Sequence, residues 1–392
     1  MDIQAIRRDF PALEQYTWFQ NGGVSITPVP VAAEYTRWTE EMVRRGPLHI
    51  VYPEEEYPRR KAAMERLARF FGVAAGELAL MRGVSEGFQT VVRGLEWAAG
   101  DEIVISADEE AALLLPALHL RDLYGVEVVK VPLIDDDDGQ VQAVEERLGE
   151  RTKLVALSHV TTDLGFRLPV ERICAATRAR GVRSFLDLAH SAGLYPLDLH
   201  ALGCDFAGLL SYKWMYAPYA AGLLYVRQEA LDAVQVRYAG GRAEQWLDPV
   251  ADTFALRETA ERFQYGPWCW PLVLAWAFAV EYLSAIGLEA IWARTVALAG
   301  RLKEGLTQIP GAVLYTPRSP QRSAALVSFG LAGWKGEELS QALREEWNMV
   351  IKPLPHGREG LRASITFFLL ESEIDELLAA LNSLAKQRSK SR

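Results

Sequence analysis

The chain has 392 residues, half of them hydrophobic, and a formal net charge of −9. This length is too great for one simple core and suits about two domains, and the acidic balance argues against general nucleic-acid binding. Three widely spaced cysteines without a CxxC pair argue against a disulfide framework or a structural zinc site. The charged N-terminus lacks the apolar region of a signal peptide, and the longest apolar stretch, Trp268 to Val280, is too short to span a bilayer. We therefore expect a cytoplasmic protein that holds no metal ion and binds neither membranes nor nucleic acids.

The first part of the chain alternates short β-branched runs with helical patterns. The predicted strands are, in chain order, Leu78–Arg82, Glu102–Ser106, Val126–Pro132, Lys153–His159, Arg183–Leu188, Phe206–Ser211 and Gly222–Val226. Helical patterns separate several of them, as at Glu109–Tyr124 and Val170–Arg180. This alternation predicts a mostly parallel sheet covered by helices. A loop with Pro218 and no helix joins the last two runs, which favours an antiparallel or edge arrangement there.

The pattern changes from about Glu281 onward. The elements predicted there are a long helix over Pro271–Leu306, a strand at Ala324–Phe329, a helix at Gly336–Trp347, a strand at Leu361–Thr366 and a helix at Glu371–Lys386. This order indicates a smaller α+β domain. Earlier in the chain, the acidic run Asp135 to Asp138 before Gly139 is expected to be a solvated turn rather than a divalent-ion site.

Several predicted strands end in side chains that suit one cofactor. In open α/β sheets, ligands bind at the carboxyl ends of the strands. Lys213 follows one strand and offers an amine that can form a Schiff base with an aldehyde. Asp187 ends the preceding strand and offers a carboxylate that keeps a pyridine nitrogen protonated. Gly83 to Gly87, with Ser85 inside it, opens a helical pattern and offers N–H groups to a phosphate. Together they meet the requirements of pyridoxal 5′-phosphate.

Each of these residues has a simpler interpretation when it is taken alone. A lysine after a strand is usually a solvated surface charge, and an aspartate there often caps a helix. Gly83 to Gly87 is typical of any strand-to-helix turn, and His159 and His190 are typical of hydrogen-bonded core histidines. The prediction of a cofactor site therefore rests on their shared position at one edge of a sheet.

The segment from Leu186 to Trp214 resembles the class V aminotransferase family. It holds Asp187-Leu-Ala-His190, Ser-Ala-Gly, Pro-Leu-Asp and Ser-Tyr-Lys213 in that order, with 26 residues from Asp187 to Lys213. Shorter matching pieces extend the resemblance over nearly the whole chain: Gln20-Asn21-Gly-Gly, Val84-Ser85-Glu86-Gly87 and Leu361-Arg362-Ala-Ser364. The family includes cysteine desulfurases, isopenicillin N epimerase-like proteins, C–S lyases and kynureninase.

The resemblance implies an α/β protein of the PLP-dependent transferase fold type I. Its large domain would hold a mostly parallel seven-stranded sheet, followed by a smaller α+β C-terminal domain. We expect an N-terminal arm over residues 1–20 that joins the small domain, a large domain over 21–280 and a small domain over 281–392. A homodimer is also expected.

The resemblance implies a role for each matching residue. Lys213 would bind the cofactor as a Schiff base and move protons at the substrate Cα, and Asp187 would pair with the pyridinium. His190 and Thr162 would lie near the phenolic oxygen of the cofactor. The expected phosphate ligands are Ser85, the N–H of Glu86, Ser211 and Tyr212. Arg362 would clamp the α-carboxylate of an amino-acid substrate, with Asn21 beside it.

Some positions depart from the family pattern. Tyr212 stands where the family usually has a histidine, although a phenol can still donate to a phosphate. Thr162 stands where desulfurases usually have asparagine. Glu110 occupies the position of the aromatic or histidine ring that covers the cofactor, and a carboxylate cannot stack in the same way. In Gly266-Pro267-Trp268 the threonine that would reach the partner subunit's phosphate is missing.

The sequence excludes some reaction types of the family but does not identify a single one. Cysteine desulfurases carry a mobile cysteine shortly before the substrate arginine, and the stretch from Val350 to Arg362 has none. We therefore expect that the chain is not a cysteine desulfurase, and Cys269, in an aromatic and apolar run, is expected to be inert core. Transamination and β-elimination by a C–S lyase are favoured, both starting with removal of the Cα proton by Lys213. Epimerisation of the isopenicillin N type is the alternative.

A different class of protein also has to be weighed. A non-catalytic relative of the fold would act as a binding protein, but Lys213 and Asp187 are both present. A nicotinamide dehydrogenase is disfavoured because no GxGxxG follows a predicted strand.

Overall fold

Two separate β-sheets organise the molecule in the computed structural model, which describes residues 1–355 and 357–390. The strands are β1 (Thr17–Phe19), β2 (Leu78–Met81), β3 (Glu102–Ser106), β4 (Glu127–Val131), β5 (Thr152–Ser158), β6 (Arg183–Asp187), β7 (Phe206–Leu210), β8 (Gly222–Val226), β9 (Glu244–Asp248), β10 (Thr253–Leu256), β11 (Ala312–Leu314), β12 (Leu326–Leu331), β13 (Met349–Pro353) and β14 (Leu361–Ser364). The helices are α1 (Ile3–Arg8), α2 (Val29–Arg45), α3 (Leu48–Val51), α4 (Pro53–Phe70), α5 (Val84–Gly94), α6 (Ala111–Tyr124), α7 (Asp137–Glu145), α8 (Val170–Ala179), α9 (Leu199–Leu202), α10 (Trp270–Ile286), α11 (Leu288–Leu306), α12 (Gly336–Trp347) and α13 (Glu371–Lys390).

The larger sheet has seven strands in the order β2-β8-β7-β6-β5-β3-β4. Strands β4, β3, β5, β6 and β7 are mutually parallel, and β8 runs antiparallel to both of its neighbours, β7 and β2. This confirms the predicted mostly parallel sheet, and it also confirms the antiparallel arrangement expected around Pro218. The parallel order places the carboxyl ends of β5, β6 and β7 side by side at one edge.

Helices cover both faces of this sheet, so its central strands are mostly apolar, whereas the edge strand β4 exposes Glu127 and Lys130. Within β3, Val104 faces one core and Ile103 and Ile105 face the other. Within β6, Leu186 faces the same core as Val104, and Phe185 faces the same core as Ile103 and Ile105. A sheet buried on both faces requires continuous runs of apolar residues, and this is the pattern seen in the sequence.

The smaller sheet has the order β1-β13-β14-β12-β11. It packs with α11, α12, α13 and the N-terminal residues Phe10 and Leu13 into a third core. Strand β1 lies parallel to β13 at its edge, so the beginning of the chain pairs with the C-terminal part. The domain limits stay a prediction. The limit at 280 falls within α10, where Val280 packs in the core of the large sheet and Leu283 in the third core.

Two predicted elements were wrong in detail. The long helix over Pro271–Leu306 is two helices, because Gly287 adopts a φ of +94° between α10 and α11 and a helix cannot pass through that conformation. The acidic run is not a turn: Asp136 caps α7 by accepting the N–H of Gly139, and the run enters the first turn of that helix. Acidic side chains at this end of a helix are favoured by its dipole.

Among the described residues, no single helix is both long and apolar enough to cross a bilayer. Helices α10 and α11 reach that length and hydropathy only when they are counted together, across a bend of 73°.

Candidate active site

The carboxyl ends of β5, β6 and β7 meet the N-terminus of α5 around a cavity of about 670 Å³. Strand β14 of the smaller sheet closes it from the other side. The cavity is lined by most of the residues predicted for the site and by several others: Gly22, Gly23, Ser85, Glu86, Glu110, Ser158, Asp187, His190, Tyr212, Lys213, Lys352 and Arg362. Both sheets therefore contribute to one site.

Lys213 follows β7 and lies almost fully buried at the cavity. Its backbone carbonyl is held by Asn21, and the residue after it packs closely against Gly193. Asn21 donates its side-chain N–H to the Lys213 carbonyl at 3.1 Å, and Gly193 lies so close that a Cβ on it would meet the Trp214 carbonyl oxygen at 2.4 Å. Burial lowers the pKa of the Lys213 ammonium to about 8, although Asp187 acts in the opposite direction. A lysine with such a pKa holds a useful fraction of neutral amine near neutral pH.

His190 connects Lys213 to two other side chains. Its Nε2 lies 3.3 Å from Lys213 Nζ and 3.3 Å from Thr162 Oγ1, and its Nδ1 accepts the indole N–H of Trp214 at 3.4 Å. Because Nδ1 is the acceptor, the ring proton lies on Nε2 in the neutral imidazole. Burial, and then the charge of Lys213, keep the pKa of His190 well below its ordinary value, so this ring is neutral.

Asp187 ends β6 on the cavity wall. One of its oxygens accepts the N–H of Ala189 at 2.8 Å, which fixes the carboxyl group in the turn that follows the strand. Burial raises the pKa of Asp187 to about 6, against the opposing effect of Lys213. At neutral pH the group is therefore a buried carboxylate, and it can be paired by a cationic ring nitrogen.

Arg362 lies on β14 with only 1% of its surface exposed. Its Nη1 donates to the Thr162 carbonyl at 2.6 Å and to the Thr162 hydroxyl at 3.2 Å. Its Nε and Nη2 are buried without a partner among the described residues. An unpaired buried guanidinium is costly, so these two donors indicate an anionic ligand group in the cavity.

The sequence did not reveal Lys352, which lies on β13 directly opposite Arg362 in the antiparallel pair. Paired residues of neighbouring strands point to the same face, and both side chains line the cavity. Burial, and then Arg362, lower the pKa of Lys352. Only the register of β13 and β14 identifies this residue, and no local motif marks it.

Glu110 also lines the cavity, just before α6. It accepts the Thr162 hydroxyl proton at 2.8 Å, which links it through Thr162 to His190. Burial acts to raise the pKa of Glu110, but Thr162, Lys213 and Lys352 outweigh it, so the pKa lies below its ordinary value. Glu110 is therefore ionised, at the position where the family pattern has an aromatic or histidine ring.

The proposed phosphate ligands lie in two different environments. Ser85 and Glu86 stand in the first turn of α5 and line the cavity, and the Glu86 carboxylate is held by the N–H and guanidinium of Arg82.

The other two predicted phosphate ligands follow β7. Tyr212 lines the cavity and stacks on Tyr219 at 4.7 Å between ring centroids. Ser211 is fully buried and donates its hydroxyl to the Pro218 carbonyl, so the structure does not bring it into the cavity wall.

An ion-pair cluster anchors the segment between β13 and β14, where desulfurases carry their cysteine. Arg358 of this segment lies 2.7 Å from Asp108 and 3.3 Å from Asp163, two carboxylates that follow β3 and β5. Both aspartates are buried. The segment is therefore tied to the large sheet by charge.

The prediction for Cys269 was wrong. The residue is exposed at the start of α10 and is not part of a core.

The donors and acceptors of the cavity fit pyridoxal 5′-phosphate. A buried amine of lowered pKa at Lys213, a buried carboxylate at Asp187 and the N-terminal turn of α5 stand around one space. They match its aldehyde, its ring nitrogen and its phosphate respectively. The unpartnered Nε and Nη2 of Arg362 are not used by these three groups and remain available for a substrate. The roles of the individual residues stay predictions.

Comparison with known proteins identifies relatives over nearly the whole chain. The family model Aminotransferase class-V matches residues 32–377. A probable cysteine desulfurase 2 of Mycobacterium leprae is 30% identical over 409 aligned residues, covering 97% of this chain and 96% of that protein. The isopenicillin N epimerase of Streptomyces clavuligerus is 31% identical over 338 residues, covering 82% and 83%.

Solved structures show the same fold. The cysteine desulfurase of Thermococcus onnurineus NA1 aligns with a TM-score of 0.89 at 25% identity, covering 98% of both chains. The cystine C–S lyase C-DES, in complex with its product cysteine persulfide, aligns with a TM-score of 0.88 at 26% identity, covering 95% of this chain and 99% of that one.

These relatives bear on three predictions. They confirm the predicted family and the PLP-dependent fold type I, and a related C-DES variant carries glycine covalently linked to its PLP cofactor. They do not support our expectation that the chain is not a cysteine desulfurase, since several relatives carry that name. The chain belongs to the class-V aminotransferase family, and its cofactor is pyridoxal 5′-phosphate.

Proposed function

We propose that this protein is a C–S lyase that carries out β-elimination on a cysteine-derived amino acid. One observation supports an amino-acid substrate above all: the buried Arg362 presents two unpartnered N–H donors to the cavity that also holds the Lys213 amine. An α-carboxylate fits the arginine as a planar pair of acceptors. This geometry would hold the Cα–H bond within reach of Lys213.

Each residue has a distinct part in the proposed reaction. The cofactor, when bound, supplies an aldehyde for the amino group and a ring that withdraws electrons from Cα. Arg362 binds and orients the α-carboxylate, and Asp187 holds a proton on the ring nitrogen by charge pairing. Lys213 takes the proton from Cα, and the C–S bond at Cβ then breaks with its electron pair leaving on sulfur. Neutral His190 lies beside the Lys213 amine and donates its Nε2 proton to the Thr162 hydroxyl, so the lone pair of the amine stays free for the Cα proton.

The relatives and one local feature favour the lyase over other reactions at Cα. The relatives include cysteine desulfurases and a cystine C–S lyase, which all act at carbon–sulfur bonds. A desulfurase transfers sulfur to a cysteine of its own, whereas the segment between β13 and β14 carries Arg358, anchored on Asp108, and no cysteine. A lyase needs no such acceptor, because the sulfur leaves with its own substituent.

Epimerisation is the second candidate. The 31% identity to an isopenicillin N epimerase favours it, together with the carboxylate of Glu110 on the cavity wall. An epimerase needs a second group that donates or accepts a proton at Cα besides Lys213. Glu110, ionised and linked to His190 through Thr162, has the chemistry for that role.

Product analysis of the purified holoenzyme tests these possibilities. With L-cystine and water, a lyase gives one pyruvate, one ammonia and one cysteine persulfide. A desulfurase gives alanine from cysteine and a persulfide on the protein, a transaminase exchanges the amino group with a keto acid, and an epimerase gives the mirror-image amino acid. Pyruvate and ammonia in equal amounts would support our proposal. Alanine with a protein persulfide would overturn it in favour of desulfuration.

The role of Lys213 is tested separately. Borohydride reduction of the holoenzyme should fix the cofactor on the peptide that contains Lys213, as identified by mass spectrometry. In Lys213→Ala the reduced cofactor should not be attached to the chain, and pyruvate formation should stop. A cofactor fixed on another lysine would show that the assignment is wrong.

A further inference from the structure

The substrate end of the cavity holds more charge than one α-carboxylate requires. The α-carboxylate pairs with Arg362. The cofactor aldehyde reacts with Lys213, and the cofactor ring nitrogen pairs with Asp187. Arg82 and Glu86, which also line the cavity, form an ion pair with each other at 2.8 Å. Of the charged lining residues, Lys352 and Glu110 then remain, one cation and one anion. Each is more than half buried, so each loses hydration that a ligand group could replace.

Lys352 and Glu110 influence each other without forming an ion pair. Lys352 lowers the pKa of Glu110, and Glu110 acts to raise that of Lys352, so their charges face a common space. Yet no ion pair or hydrogen bond joins them in the described part of the chain, where the carboxylate of Glu110 is bonded only to the Thr162 hydroxyl. The other nearby carboxylate, Asp163, is bound by Arg358.

From this arrangement we propose that Lys352 and Glu110 form a second head-group site, which binds the distal ammonium and carboxylate of a substrate with an amino-acid group at each end. Lys352 binds the distal carboxylate and Glu110 binds the distal ammonium. The substrate class is then a disulfide or thioether of two amino acids. This assignment rests on the proposed lyase function and names its substrate.

The charges balance for this class of ligand. The α-carboxylate neutralises Arg362, the distal carboxylate neutralises Lys352, and the distal ammonium neutralises Glu110. A substrate with a neutral side chain would leave Lys352 and Glu110 as two partly dehydrated charges without a partner of opposite charge in contact. Because buried charges are costly when they are unpaired, the site discriminates against such a substrate.

Four thioethers separate the two head-group contacts. S-propyl-L-cysteine has no distal charge, S-(2-carboxyethyl)-L-cysteine has only a carboxylate, S-(3-aminopropyl)-L-cysteine has only an ammonium, and L-cystathionine has both. Their dissociation constants are measured by calorimetry with PLP-loaded Lys213→Ala, which cannot remove the Cα proton. Cystathionine should bind the most tightly and S-propylcysteine the most weakly.

Further substitutions in the Lys213→Ala protein test whether Lys352 contacts the distal carboxylate and Glu110 the distal ammonium. Lys352→Met should weaken the two ligands with a distal carboxylate about tenfold, as expected for one partly buried charge pair, and leave the other two unchanged. Glu110→Gln should act in the same way on the two ligands with a distal ammonium. Lys352→Arg, which keeps the charge, should retain most of the affinity. Lys130→Met removes an exposed strand lysine elsewhere and should change nothing.

Two results would overturn the assignment. If Lys352→Met weakened all four ligands equally, Lys352 would act on the shared α-carboxylate. If the four ligands bound alike before any substitution, there would be no second head-group site. Failure of the lyase proposal is recognised independently, because the wild-type enzyme would then form pyruvate from none of the four, whatever their affinities.

Discussion

The ionisation of Lys213 depends on its surroundings more than on its own chemistry. Burial lowers its pKa to about 8, Arg362 and Lys352 act in the same direction, and Asp187 and Glu110 oppose them. An exposed lysine has a pKa of about 10.4, so at pH 7 almost all of it is protonated, whereas about one tenth of Lys213 is neutral.

We therefore predict the pH dependence of Lys213 reactivity in the cofactor-free protein. Only the neutral amine is nucleophilic, so modification of Lys213 by acetic anhydride should rise with pH and reach half of its maximum near pH 8. Peptide mass spectrometry measures the extent of reaction. Asp187→Asn removes a stabilising anion and should move the midpoint to lower pH. A Lys213 profile still rising through pH 10 would contradict the prediction.

At the residue scale the sequence predicted some site residues and not others for a physical reason. Lys213, Asp187 and His190 lie within one segment, at the ends of adjacent parallel strands, and a short motif identifies them together. Lys352 is identified as a site residue only by its pairing with Arg362, because the register between two strands is set by the whole sheet and not by a local motif. Ser211 was predicted from the same motif, but its hydroxyl is used by the Pro218 carbonyl.

At the scale of elements, the segment between β13 and β14 depends on Arg358. Its guanidinium bridges Asp108 and Asp163, whose side chains are only 2% and 5% exposed. Removing the arginine leaves two buried carboxylates close together and removes the two ion pairs that Arg358 makes between the segment and the large sheet.

Arg358→Met should therefore loosen this segment locally. We expect faster amide hydrogen exchange there and a loss of about 1–2 kcal/mol in local stability, since the arginine is partly exposed. The Michaelis constant should rise more than kcat falls, because the segment adjoins the substrate end. Arg301→Met, which removes an exposed pair with Asp375, is the control and should leave exchange in this segment unaltered. Unaltered exchange in Arg358→Met itself would show that the ion pairs do not anchor the segment.

The break between α10 and α11 provides a second test at this scale. Gly287 has a φ of +94°, a region that residues with a Cβ rarely adopt, so Gly287→Ala should destabilise the protein by about 1–3 kcal/mol. Gly300 lies inside α11 with open space around its missing Cβ, and Gly300→Ala should stabilise it by about 1 kcal/mol. Thermal unfolding of the two variants should thus change in opposite directions. Equal shifts would mean that the conformation of Gly287 does not matter.

The sequence predicted most elements of the large sheet because strands and helices have distinct hydrophobic periods. The predicted β3 and β8 have the observed limits, and β6 and β7 differ by one residue. The break at Gly287 was missed because the apolar pattern continues on both sides of it and a lone glycine does not always end a helix. The start of α7 was missed because the same acidic residues suit a turn and a helix cap.

At the scale of the whole molecule, the hairpin of β9 and β10 exposes large apolar side chains. Leu247 and Phe254 are cross-strand partners, 62% and 60% exposed, and Trp246 is 50% exposed. A two-stranded hairpin is seldom stable alone, and exposed aromatic side chains of this kind usually meet a partner. We therefore propose that this hairpin contributes to a homodimer interface.

Light scattering during gel filtration tests this proposal. The wild type should have twice the chain mass of 43.7 kDa, and the double variant Leu247→Ser with Phe254→Ser should shift toward the monomer. Tyr124→Ser, at an exposed position on the C-terminal end of α6, is the control and should remain dimeric. A monomeric wild type would contradict the homodimer, and a dimeric double variant would place its interface elsewhere.

The pairing of β1 with β13 also fixes the order in which the protein can be completed during translation. Thr17 aligns with Met349, about 330 residues later, and a ribosome that adds 5–20 residues per second needs on the order of half a minute to cover that interval. The seven strands of the large sheet are all synthesised by residue 226, so that sheet can form while β1 still lacks its neighbour. Lys352 and Arg362 are added only after that interval. A nascent chain could thus already have its cofactor pocket, yet it would recognise no substrate until these two residues have been added.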